Sequence, residues 1–313
     1  EEVMYKINYL DLNKTKTVRL SNNIGDTPMI KISDKIYAKA EIFNPTGSIK
    51  DRPASYIIND AEEKGVLKEG DTIIEATSGN MGISFAWLAA ERGYKCKIVM
   101  PSNMSEERKQ ILKLYGAELI EVGEGDFDGA IKLRNELSEK NGWFNCNQFD
   151  NPLNIKSHVE GTGKEIIEFC DNITTKNKHV YVEALVSGTG TGGTIMGCRE
   201  TLDKRYPLCK MIAVEPEESP VMSGGEPGLH GIQGIGDGSK FLVDLKKIRE
   251  VVTISTEEAK ERARKLAREF GIFVGISAGA NVLAAERWVE KNNPNGIVVT
   301  FLCDRGERYL SCI

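Results

Sequence analysis

The chain has 313 residues, 40% apolar and 28% charged, with a net charge of −5. That length suits two α/β units or one large one, and the mild acidity gives no electrostatic footprint for nucleic acid or an anionic membrane. No run approaches the ~18 apolar residues of a membrane span, and the first residues lack a secretory pattern. Seven cysteines without a C-x-x-C pair read as reduced thiols of a cytoplasmic protein. Three histidines without H-E-x-x-H offer no metal site.

In chain order, residues 1–27 are polar and carry no clear period. Residues 29–32 and 35–41 read as two short strands around Ser33-Asp34. Then comes Asn44-Pro45-Thr46-Gly47-Ser48-Ile49-Lys50-Asp51-Arg52, a turn set by Asn44-Pro45 and Gly47, followed by a helical pattern over 55–65. A strand over 71–76 runs through Thr77-Ser78-Gly79-Asn80-Met81-Gly82 into an apolar helix over 83–92. Strand 96–101, helix 105–115 with Ser105 as N-cap, strand 118–122 and helix 126–140 follow. This βαβαβα order predicts a parallel sheet covered on both faces. Asn151-Pro152 breaks it. Beyond lie helix 157–170, strand 180–186, a Gly-rich loop, helix 194–206 and strand 210–214. An irregular stretch over 215–244 is longer than ordinary connections and reads as functional. Strand 251–254, helix 256–270, a Gly/Ser turn, helix 278–291 and strand 297–302 complete a second α/β unit.

Three stretches can carry chemistry. Lys50 stands just past a turn at a helix start. A lysine held rigidly and partly desolvated can lose its proton and form a Schiff base with an aldehyde. Taken alone, it reads as a surface lysine beside Asp51 and Arg52.

The loop Val186-Ser187-Gly188-Thr189-Gly190-Thr191-Gly192-Gly193-Thr194 joins a strand to a helix, so its N–H groups can close around a phosphate. Gly188, Gly190 and Gly193 also satisfy G-x-G-x-x-G, and the next strand runs into Glu215, where a dinucleotide site keeps its ribose-binding acid. A nicotinamide-dependent dehydrogenase therefore competes. Against it, the loop lies in the second unit. Its Thr189, Thr191 and Thr194 hydroxyls also suit the three oxygens of a terminal phosphate monoester.

Residues 77–82 form another strand-to-helix turn, whose hydroxyls, amide and N–H groups suit a carboxylate. The same residues also suit a plain N-cap by Ser78 or Asn80. Gly275-Ile276-Ser277-Ala278-Gly279-Ala280 likewise reads as a strand end and a helix capped by Ser277.

Together these stretches resemble the cysteine synthase (O-acetylserine sulfhydrylase) and cystathionine β-synthase family of fold-type II pyridoxal-phosphate enzymes. The resemblance rests on residues 44–52, 77–82, 148–152, 188–194, 232–236 and 275–279 in the same order, and it spans about residues 24–310. It implies an α/β fold of two three-layer domains with mainly parallel sheets, like the tryptophan synthase β chain. Residues 42–148 would be a smaller mobile domain, and 1–41 plus 149–313 a larger one. It implies pyridoxal 5′-phosphate as cofactor, an amino acid as substrate and a homodimer. Lys50 would hold the cofactor as a Schiff base and act as acid and base. Asn80 would bond the ring hydroxyl, and Ser277 the ring nitrogen. Gly190, Thr191, Gly192, Gly193 and Thr194 would hold the phosphate. Thr77, Ser78, Asn80, Met81, Gln148 and Gly234 would line the substrate position. A serine beside the ring nitrogen leaves it unprotonated, which favours prompt loss of a β-substituent over transamination.

Two departures bear on the reaction. The family reads Glu-Pro-Thr-Ser-Gly-Asn-Thr-Gly where this chain has Ala76 and Met81 in place of the proline and second threonine. After Gly234-Ile235-Gly236 the family has a small neutral residue, and this chain has Asp237. A carboxylate there would repel hydrosulfide and could act as general base on water. The favoured reading is L-cysteine plus water to L-serine plus hydrogen sulfide, through an aminoacrylate. The alternatives are an ordinary cysteine synthase with Asp237 facing solvent, a cystathionine- or lanthionine-forming β-synthase, the dehydrogenase above, and a non-catalytic relative.

Overall fold

The computed structural model describes residues 19–77, 79–176 and 179–313. Strands β1 (Met29–Lys31) and β2 (Ile36–Ala40) pair antiparallel, with Ile30 opposite Ala38. Helix α1 (Asp51–Glu63) buries Ala54, Ile57, Ile58 and Ala61, one face of a helical period. Next come β3 (Thr72–Ala76), α2 (Asn80–Arg92), β4 (Lys95–Pro101), α3 (Glu106–Leu114), β5 (Glu118–Val122), α4 (Phe127–Asn141) and β6 (Phe144–Asn145). These strands make a parallel sheet in the order β5-β4-β3-β6.

The chain continues through α5 (Pro152–Ser157), a π-helical turn (His158–Thr162), α6 (Gly163–Ile173), β7 (Val182–Gly188), α7 (Gly193–Arg205) and β8 (Lys210–Pro216). It ends with β9 (Glu250–Ile254), α8 (Thr256–Phe270), α9 (Ile276–Asn292) and β10 (Ile297–Leu302). The second sheet runs β1-β2-β10-β7-β8-β9, with β1 alone antiparallel. The expected fold class, α/β with mainly parallel sheets, holds.

Helices cover both faces of the large sheet, which is why β10 reads Ile-Val-Val-Thr-Phe-Leu and is buried throughout. The period of two still sorts its side chains. Val298 and Leu302 pack with Ala184 and Trp288 on one face, and Val299 and Phe301 with Leu185 and Met211 on the other.

Local chemistry explains where boundaries depart from expectation. Helix α2 starts at Asn80, so three of the six residues of the 77–82 loop lie in its first turn; Gly79, at φ 140, makes the sharp entry. Helix α5 starts at Pro152 because the Asn151 side chain caps it and proline suits its first turn. The short β6 was not foreseen, since two residues carry no readable period. Ser105 stands at the N-cap of α3 but makes no cap bond; its Oγ donates instead to the Arg308 carbonyl at 2.8 Å. Helix α9 begins at Ile276, so Ser277 sits inside its first turn rather than at the cap. All seven cysteines are free thiols. Among the described residues, no helix is long and apolar enough to cross a membrane.

The turn before α1 ties the two sheets together. Ser48 bridges to Asp304 beyond the end of β10, and the Ile49 N–H donates to the Cys303 carbonyl at 2.9 Å. Arg52, far from being a surface cation, is buried and forks between two carboxylates. Its Nε donates to Glu41 at 2.7 Å, and Nη1 to Glu165 at 2.6 Å. Lys39 completes the cluster, 2.6 Å from Glu165. Replacing Arg52 by Ala leaves two buried carboxylates with one cation and should cost about 3–5 kcal/mol in denaturant unfolding.

Burial alone would raise the Glu165 pKa, but the Arg52 hydrogen bonds and charge outweigh it and hold the carboxyl at about 2. A depressed carboxylate stabilises the fold above its ordinary pKa and loses that contribution as pH falls through the folded value. Stability should therefore fall between about pH 5 and pH 2, and less steeply in Glu165→Gln. Unfolding midpoints across that range check both.

Candidate active site

Parallel α/β sheets gather ligands at the carboxyl ends of their strands. Here the segments after β3, β7 and β10 converge on one cleft. Its inner wall is lined by Lys50, Asn80, Gly190, Thr191, Thr194, Gly234, Ser277 and Cys303.

Lys50 occupies the N-cap position of α1, half-buried. Among the described residues its amine makes no hydrogen bond. Burial lowers its pKa against the opposing pull of Cys303, Asp237 and Asp304. An amine that gives up its proton more readily is better placed to attack an aldehyde or take a proton. Its position is fixed by Asp51, which accepts hydrogen bonds from the Thr46 N–H at 2.7 Å, Thr46 Oγ1 at 2.5 Å and Ser84 Oγ at 2.6 Å.

The Gly-rich loop has the shape of an anion cradle. Gly192 caps α7 at φ 88 with no side chain on the helix N–H groups. A Cβ on Gly190 would lie 2.7 Å from the Gly234 carbonyl, and one on Gly193 2.0 Å from Asn154 Oδ1, so neither tolerates a side chain. Thr191 Oγ1 accepts from Asn154 Nδ2 at 3.0 Å and from the Gly193 N–H at 3.3 Å, which leaves its own hydrogen to donate. Thr194 Oγ1 lies 3.4 Å from His158 Nε2, on a histidine that burial and Arg52 push down to about 3 and so keep neutral.

Two expectations fail here. The Thr189 hydroxyl donates to the Val214 carbonyl at 3.3 Å, so it does not serve as a third phosphate hydroxyl. Glu215 is not a ribose acid. Its carboxylate accepts the N–H groups of Met222 at 2.7 Å and Ser223 at 3.0 Å and is spent on that turn.

At the 77–82 loop, Thr77 Oγ1 accepts from the Gly79 N–H at 3.0 Å. Ser78 lies outside the described residues. Asn80 donates to Asp304 Oδ2 at 2.5 Å and accepts from Arg308 Nη1 at 3.1 Å, which leaves one amide hydrogen uncommitted. Gln148 donates from Nε2 to the Ala76 carbonyl at 2.7 Å. The Met81 side chain packs in the apolar core with Ile57, Phe85 and Ile98, not in the cleft, so only its backbone N–H can face a substrate. Ser277 and Cys303 line the same cleft, and burial and Asp304 push the Cys303 thiol up to about 12.

Asp237 sits on a loop bent by Gly234, Gly236 and Gly238 at φ 98, 67 and 82. The Gly236 N–H donates to the Thr189 carbonyl at 3.0 Å, and His230 Nε2 donates to the Gly236 carbonyl at 3.0 Å. His230 Nδ1 accepts from the Ile232 N–H at 3.2 Å, which fixes the tautomer. The Asp237 carboxylate is buried and makes no hydrogen bond among the described residues. Burial raises its pKa while the Lys50 and Arg108 charges pull the other way.

Sequence reasoning missed Asn154, Cys303, Asp304 and Arg308. The signal for two of them was the polar run Cys303-Asp304-Arg305 following a buried, mostly apolar strand, a place where parallel sheets bind ligands. The cradle, the Thr191 hydroxyl left to donate and a lysine whose pKa burial lowers fit a phosphorylated aldehyde. Among the described residues no cluster could hold a metal ion.

Comparison with known proteins agrees. The sequence profile of the family described as pyridoxal-phosphate dependent enzyme matches residues 20–304. A cysteine synthase of Staphylococcus aureus is 42% identical over 299 residues, covering 92% of this chain and 94% of that protein. An O-ureido-L-serine synthase superposes with TM-score 0.86 at 39% identity, covering 94% of each chain. A hydrogen sulfide-producing enzyme from Fusobacterium nucleatum does so with TM-score 0.86 at 37% identity, covering 93% of this chain and 99% of that one. The dehydrogenase reading of the Gly-rich loop falls with these matches. The chain belongs to the pyridoxal-phosphate dependent enzymes, within the cysteine synthase family of β-replacing enzymes.

Proposed function

We propose that this enzyme converts L-cysteine and water into L-serine and hydrogen sulfide. The observation that carries the proposal is Asp237, a buried carboxylate without a hydrogen-bond partner among the described residues, on the loop whose Gly234 and Ile235 line the cleft of Lys50. Held by Lys50, Asn80, Gly190, Thr191, Gly192, Gly193, Thr194 and Ser277, pyridoxal phosphate would supply the electron sink that acidifies the substrate Cα–H.

The remaining steps belong to the chain. The α2 N-terminus, with Thr77, Ser78, Asn80 and the Met81 N–H, holds the substrate carboxylate, and Gln148 and Gly234 flank it. Lys50 takes the Cα proton, and the Cβ–S bond breaks with its electron pair leaving on sulfur. The sulfur leaves as hydrosulfide, a far weaker base than the hydroxide a serine would have to expel. Asp237 takes a proton from water as its oxygen bonds to Cβ, and Lys50 returns a proton to Cα. The proton from water ends on the departing sulfide. No oxidant or reductant is needed. An anionic nucleophile would have to approach the Asp237 carboxylate, whereas water gains a base from it. In this reading residues 42–148 move as the smaller domain and close over the bound carboxylate. A dimer of identical chains is part of the same reading.

The relatives named cysteine synthase favour a second reading, cysteine formation from O-acetylserine and sulfide. Incubation of the holoenzyme with L-cysteine, with sulfide and serine assayed, separates the two. The proposal expects equal amounts of both; sulfide-dependent cysteine formation with no serine overturns it.

Asp237→Asn should lower serine formation by about 10²–10⁴-fold, the range of a lost general base. Because burial raises the Asp237 pKa and the base acts ionised, the acid limb of kcat/KM should lie above the ordinary carboxylate range. That limb should vanish in the variant. Thr191→Val should weaken cofactor binding about tenfold or more, through loss of one hydrogen bond to a charged group, while Thr189→Val leaves it unchanged. Titration of apoenzyme with pyridoxal phosphate reads both.

A further inference from the structure

Arg108 is a fully buried cation whose two terminal nitrogens are both bonded. It projects from the first turn of α3. One terminal nitrogen donates to Gln233 Oε1, in the residue before Gly234 on the loop that carries Asp237. The other donates to the Tyr309 hydroxyl and lies 3.5 Å from Asp304 Oδ2. The guanidinium stands 4.6 Å from the centre of the Tyr309 ring.

Its third nitrogen is different. Nε is buried and has no hydrogen-bond partner among the described residues. The side chain runs directly over Gly79, where an added Cβ would meet Cδ at 2.4 Å and Nε at 2.8 Å. So the guanidinium nitrogen without a hydrogen bond lies beside the start of α2, where the amino-acid carboxylate is expected. A buried N–H on a cation is costly to leave unpaired, and a carboxylate oxygen is its strongest partner. Lysine could not take this place, because only the planar fork serves three directions at once.

We propose that Arg108 is a positioning residue that couples the two loops, so that seating the substrate carboxylate at 77–82 also sets the Asp237 carboxylate for its proton transfer. The second half rests on Asp237 acting as the base. Arg108 does not hold this interface by itself. Ser105 Oγ donates to the Arg308 carbonyl at 2.8 Å, and Glu107 accepts from the Ser311 N–H and hydroxyl, each at 2.7 Å. Loss of the guanidinium therefore leaves α3 anchored.

The test uses holoenzymes carrying Arg108→Lys, Gln233→Ala, and each combined with Asp237→Asn. L-serine affinity is read from the change in the cofactor absorption band, and kcat from sulfide release with L-cysteine. Arg108→Lys should weaken L-serine binding at least tenfold and lower kcat at least tenfold. Gln233→Ala should lower kcat and keep L-serine binding. In the Asp237→Asn background neither should lower kcat further, because the group they position is gone. Unchanged serine affinity in Arg108→Lys, or full multiplication of the kcat losses, overturns the proposal. If Arg108→Lys does not fold, the Gln233→Ala cycle decides alone. If the unmutated enzyme releases no sulfide from L-cysteine, the function proposed above fails by itself. The coupling is then read from serine binding in Arg108→Lys, where unchanged affinity still sinks it.

Discussion

The fork of Arg52 between Glu41 and Glu165 is the constraint on which the site depends. A lysine can serve as amine and base only if its carrier is rigid, and Lys50 is two residues from that fork. The cluster of Arg52, Lys39, Glu41 and Glu165 holds two charges of each sign, so a costly burial is compensated within itself. Burial pushes the Glu41 carboxyl up, and Arg52, with Lys39 and Thr27, more than reverses it. The carboxylates come from residues before and after the four-stranded sheet, so the fork also fixes how α1 sits against α6. Asp51 then closes the turn on Thr46 and Ser84, and Lys50 projects beside the end of β10.

From that fixed point the cleft is built of complementary parts. Glycines that admit no Cβ bring backbone N–H groups to the start of α7. Asn154 directs the Thr191 hydroxyl outward, and His158, kept neutral by burial, stands beside Thr194. Opposite them, the start of α2 offers its N–H groups to a carboxylate. Asp304 lies between these parts, bonded to Asn80 and Tyr309 and facing Arg108. The acidic residue and its neighbours thus connect the lysine turn, the carboxylate loop and α3.

Much of this was legible in the sequence, and the reasons differ by residue. The strand–Gly loop–helix order around 188–194 and the turn before Lys50 could be read because glycine, proline and apolar periodicity are local signals. The α8 helix was predicted over 256–270 and is found at Thr256–Phe270, since Ser255 and Glu258 form a capping box inside the chain itself. What escaped was set by contacts distant in sequence. Arg108 meets Gln233 and Tyr309 more than a hundred residues away, and nothing around it announces that. Thr189 looks like Thr191 in the sequence; only the neighbouring strand β8 decides that its hydroxyl is spent on Val214. Met81 was read as part of the substrate loop, but its position in the first turn of α2 points its side chain into the core.

The most direct measurement is turnover of L-cysteine by the holoenzyme in heavy-oxygen water, with serine analysed by mass spectrometry and sulfide assayed in parallel. The account predicts serine carrying one heavy oxygen on its side chain, in equal amount to the sulfide released. Sulfide release with no labelled serine, or no release at all while O-acetylserine and sulfide are joined into cysteine, would contradict it.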